Sequence, residues 1–149
     1  MTLPSTVAHA VQQTQIWLKE LADTAGLADE AEALACLRAV LHELRDRLSL
    51  EEAVDLGAQL PTLLRGIYYE GFRPHHAHDT DRSAQHFLNA ITMRLLPRRP
   101  EPVAKAVLAI VAHHCDPGEI ADVIGQLPAE IKELWPLTAR TYRERMRGS

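Results

Sequence analysis

"AQLPTLL", residues 58–64, and "GQLPAEI", residues 125–131, place the same Gln-Leu-Pro corner twice in a chain of 149 residues. A proline disfavours helical geometry in the residue before it. Its fixed φ and missing N–H suit the first turn of a new helix. Each corner therefore reads as an elbow joining two helices without a loop, with Leu60 and Leu127 turned into the core. The helices that lead into the elbows start alike. In "SLEE" and "DPGE", Ser49 and Asp116 can cap, and Glu52 and Glu119 can reach back as the second arm of a capping box. Gln59 and Gln126 fall where a helix runs out of partners for its last carbonyls, so each amide is expected to donate to one of them. The alternative is that the two glutamines face each other in a shared site.

Working outward, an offset of 67 residues lays the second half on the first. Between Ala39 and Arg65 it makes eight identical pairs in 27 positions, Ala39/Ala106 and Pro61/Pro128 among them. Average composition gives about two. Leu44/Val111, Leu64/Ile131 and Arg65/Lys132 are conservative besides. The expectation is an all-α, compact bundle of about eight helices. It is built from two duplicated units, about 6–71 and 80–136, related by a pseudo-twofold. A loop at 71–80 links them and a basic tail, 137–149, follows, all within a single domain 1–149. Helical spacing supports this along the chain, for instance Leu34, Leu37, Leu41, Leu44 and Leu48 behind the Asp29–Glu32 box. No segment alternates with a period of two.

Composition is that of a globular chain, with 46% hydrophobic and 24% charged residues. No apolar run is long enough to span a bilayer. "MTLPSTVAHAVQQ" lacks the basic start and apolar block of a signal peptide, which points to the cytoplasm. The net charge of −4 argues against nucleic acid as a partner. Arg140, Arg143, Arg145 and Arg147 read as a solvated terminal helix. A would-be recognition helix, Thr62 to Tyr69, is too apolar to read base edges. Cys36 and Cys115 form no disulfide framework.

"QLPAEIKELWP" after "PGEIADV", with "RAVLHELRDRLSLEEA" and "AQLP" earlier, resembles the bacterial family known as domain of unknown function 2267. The resemblance runs from about Trp17 to Pro136. It rests on Gln59, Leu60 and Pro61, and on Gly118, Glu119, Asp122, Gln126, Leu127, Pro128, Leu134 and Trp135. It implies an all-helical, duplicated domain. It implies no established activity, cofactor or substrate; members are associated with stress-related roles. The chain departs from the family in its histidine-rich middle loop.

Three constellations have the residue types for chemistry. His75, His76 and His78, with Asp79, Asp81 and His86, offer ligands for zinc, nickel or copper, though a cluster within one loop suits adventitious binding better. "HHCD", 113–116, puts Cys115 where Leu48 stands in the first half, so it reads as a packed apolar residue, with His113 and His114 on the surface near a helix C-terminus. Asp55 and Asp122 are matched acids that can face each other as acid and base or hold a cation, or else each pairs with a nearby arginine or caps a helix. Fold determinants account for the repeated residues, and no catalytic, cofactor or metal set is assigned. The reading is a non-enzymatic, stress-associated or protein-interaction module that binds a protein partner or its own copy. Tyr68, Tyr69 and Phe72 are the expected contact. The alternative is a metal or small-ligand binder using 75–81.

Overall fold

A computed structural model describes residues 2–74, 83–95 and 99–148. Those residues form ten helices and no strand. They are α1 (Ser5–Ala25), α2 (Glu30–Arg45), α3 (Leu50–Gln59), α4 (Thr62–Tyr68), α5 (Ala84–Leu95), α6 (Pro100–His114), α7 (Pro117–Gly125), α8 (Ala129–Lys132), α9 (Leu137–Arg140) and α10 (Tyr142–Arg147). The count exceeds the expected eight because the tail forms two short helices, interrupted at Thr141, instead of one solvated rod.

Local signals explain most of the boundaries. Gly26 ends α1 with a left-handed φ of 66° that glycine adopts at little cost. Asp29 accepts from the Glu32 N–H at 2.9 Å and starts α2. Leu60 is extended, with φ −86° and ψ 146°, as the proline behind it requires. Pro61 and Pro128 sit one position earlier than expected: they are the capping residues of α4 and α8, not their first helical residues.

α2 and α6 form the centre. α2 packs against α1, α4, α5 and α6, and α6 also packs against α1 and α5. α6 buries Val103, Ala104, Ala106, Val107, Leu108, Ile110 and Val111, apolar on most of its circumference as a central helix must be. Both elbow leucines lie in this core, Leu60 1% exposed and Leu127 4%. α2 also carries two buried polar residues towards α4. Arg45 donates to the carbonyls of Tyr68 at 2.7 Å and Glu70 at 2.8 Å, and His42 Nε2 lies 2.7 Å from that of Ile67. They satisfy the carbonyls that the end of α4 leaves open. Burial holds His42 below its ordinary pKa of 6.5.

No helix among the described residues is long and apolar enough to cross a membrane.

Candidate functional site

The residues shared by the two elbows meet where α3 packs on α7. The helices run antiparallel, so the C-terminus of each reaches the N-terminus of the other. Gln59 Oε1 accepts the N–H of Asp116 at 3.1 Å, and Gln126 Oε1 accepts the N–H of Ser49 at 3.1 Å. Each glutamine thus caps the opposite helix. These contacts correct both expectations: the amide oxygens accept from a neighbour instead of the amides donating to their own helix, and the glutamines lie at opposite ends of the seam.

The crossed caps also change the capping boxes. Ser49 Oγ accepts from the Glu52 N–H at 3.2 Å, and Asp116 Oδ2 from the Glu119 N–H at 3.0 Å. The return arm of each box is supplied by a glutamine, so Glu52 and Glu119 turn to each other across the middle of the seam. The buried Oε1 atoms of both lack a hydrogen-bond partner. A proton on one carboxyl turns it into a donor to the other. Burial, then the hydrogen bond and charge of Glu119, then the charges of Asp122 and Asp55, push Glu52 up to about 7. Carboxylate oxygens of Glu52, Asp55 and Glu119 all lie within 4.8 Å of one another. Asp122 instead takes an ion pair from Arg143, which also donates to the Gly118 carbonyl at 3.3 Å and ties α10 to α7. The set brought together is therefore Glu52, Asp55 and Glu119, a group able to hold one proton near neutrality. The sequence marked Glu52 and Glu119 only as capping residues.

Cys115 is buried, and burial alone pushes its thiol up to about 12. At neutral pH it is a thiol, packed like the apolar residue it was expected to replace. His113 is exposed, as expected, but His114 is not a plain surface residue. It stacks on Trp17 of α1, ring centroids 4.8 Å apart, and its Nε2 lies 2.7 Å from Oε2 of Glu20. Glu20 is 94 positions away in the chain, and no spacing rule links the two. Trp17, Gln59, Pro61, Arg65, His9 and His114 line an open groove of about 360 Å³ at the first elbow. Asp55, Asp122 and Gln126 are not among its walls.

Other candidates are placed differently from expectation, or not at all. His75, His76, His78, Asp79 and Asp81 lie outside the described residues. Tyr68 is buried and donates its hydroxyl to the Ala53 carbonyl at 2.6 Å. Tyr69 packs against the Tyr68 ring, and Phe72 lies under the Arg45 guanidinium. These aromatics close the α3–α4 elbow and do not form a flat exposed patch.

The chain belongs to the family described as uncharacterized conserved protein (DUF2267), whose model matches residues 14–134. The match contains both elbows, the α3–α7 seam and Glu20 with His113 and His114. No curated protein matches the chain.

Proposed function

We propose that this member of the family is a non-enzymatic protein-interaction module of the cytoplasm, made of two copies of one bent-helix unit. The observation that carries the interaction reading is the outward face of α3. Leu50 and Val54 stand one turn apart there, 48% and 46% exposed, while Ala53, Leu56 and Gly57 fill the inward face. Leu63, just past the elbow, is also exposed. Apolar residues on both faces of a short helix favour a second covering surface. The two-copy reading is supported by the 67-residue offset, by the crossed glutamines and by the equivalent turns that close the elbows.

Light scattering tests the interaction. The purified chain is expected to have a mass above that of one protomer, and Leu50→Glu with Val54→Glu to reduce it to one protomer at an unchanged melting temperature. A strict monomer that retains no other protein through purification counts against the reading.

A further inference from the structure

We propose that Glu20, His113 and His114 form a binding site for a divalent transition-metal ion of the zinc or nickel type, separate from the histidine-rich segment 75–81. Two imidazoles and one carboxylate are a donor set that such ions favour over magnesium or calcium. One donor atom from each of the three residues lies within 4.8 Å of the other two. Zinc holds nitrogen and oxygen donors at about 2.0–2.1 Å, which sets neighbouring donors roughly 3.3 Å apart. His113 is exposed and the Glu20 side chain 38% exposed, so both can close that difference by side-chain rotation. The bond between His114 Nε2 and Glu20 Oε2, now 2.7 Å, opens by about half an ångström to admit the ion.

The surroundings favour this site over a chance surface cluster. Trp17 lies parallel to the His114 ring, with 20° between the planes, and fixes its orientation. Glu20 is three residues beyond Trp17 on α1, so the wall and the carboxylate come from one face of one helix. His113 stands edge-on to His114 at 4.9 Å between ring centroids. α1 packs directly on α6, so the donors come from two helices of the core. His114 lines the open groove at the first elbow, and His113 and Glu20 are open to solvent, so the donors are reachable from outside.

Calorimetric titration of the untagged full chain with zinc chloride, and separately with nickel chloride, tests the site. One ion per chain is expected. Glu20→Gln, which keeps side-chain size, and His114→Asn should each weaken binding at least about tenfold, since even residues that only support metal ligands change affinity 10–100-fold. A triple variant, His75→Asn, His76→Asn and His78→Asn, should keep the affinity. Circular dichroism of Glu20→Gln reports whether the helices are intact. The proposal is overturned if no stoichiometric ion binds. It is equally overturned if Glu20→Gln binds as tightly as the parent, or if the triple variant loses as much affinity as Glu20→Gln.

Discussion

The elbows at Leu60 and Leu127 share a turn and differ in how they are fastened. In each, the N–H of the leucine bonds back three residues, to Gly57 at 3.1 Å and to Ile124 at 3.0 Å, and a proline opens the next helix. At the first elbow Arg65 then donates to the carbonyls of Gly57, Ala58 and Leu60. Arg45 and His42 secure the far end of α4. At the second, the offset of 67 puts Lys132, Ala112 and Ala109 in those three places. The shortfall is met from the tail. Arg140 donates to the Trp135 carbonyl at 3.1 Å, and Arg143 binds Asp122 and Gly118. A groove of about 470 Å³ runs between Ala109 and Ala112 on one side and Ala139, Tyr142 and Arg145 on the other. A common motif therefore sets the bend, while the reach of single basic side chains sets how firmly it is held. Arg65 and Lys132 are not a conservative pair here, because only a guanidinium presents a fork to several carbonyls at once.

The strongest challenge to this contrast is truncation of the two leucines. Leu60→Ala and Leu127→Ala should each cost about 2–5 kcal/mol in urea unfolding, with the larger loss at Leu60. The first elbow is held on several sides and relaxes less around a cavity. Equal losses would remove the difference in fastening.

Arg45→Met should cost about 2–3 kcal/mol, the scale of hydrogen bonds from a charged donor, because it strips two carbonyls of their partner. The seam between the elbows responds on a smaller scale. Gln59→Leu and Gln126→Leu should each cost about 1 kcal/mol. A double-mutant cycle should return a coupling energy if α3 and α7 yield as one body; strict additivity separates the two caps.

Titration of Glu52 sharpens the same seam. Its carboxyl titrates near 4.5 when free and near 7 in the fold, so the native state retains a proton between those values. Stability from this group is present below about 4.5 and declines as pH rises through about 7. His42 acts oppositely, since its lowered pKa makes the fold lose stability as pH falls below 6.5. Comparing Glu52→Gln with the parent isolates the first effect. The variant should melt higher at pH 8, by about 2–4 °C for each kcal/mol of repulsion removed, and nearly the same at pH 5. A constant difference across that range would mean that Glu52 and Glu119 share no proton. The smallest expected change is Lys132→Arg, within about 0.5 kcal/mol, because the guanidinium would have to find the carbonyls from a much shorter helix.

The helices and their breaks were legible because the signals act within a few residues. Asp29, Ser49 and Asp116 each cap through the N–H three positions on, and Pro61 holds the residue before it, Leu60, out of helical geometry. The burial of Leu60, Leu127 and Cys115 followed from pattern as well. The site was legible only as a set of residue types. Of the two readings of Asp55 and Asp122, the arginine partner holds for Asp122, and which arginine it is, Arg143, depends on where the tail docks.

By itself the sequence determined an all-helical chain with two matching elbows, since capping, proline geometry and apolar spacing are local and leave little choice. Tertiary structure alone decided that Gln59 reaches Asp116, that Gln126 reaches Ser49, that Glu52 meets Glu119 and that Glu20 meets His114. Those partners are 57, 77, 67 and 94 residues apart. Whether such side chains meet depends on the angle and offset at which whole helices pack, which is set by the sum of the core contacts and by no short stretch of chain.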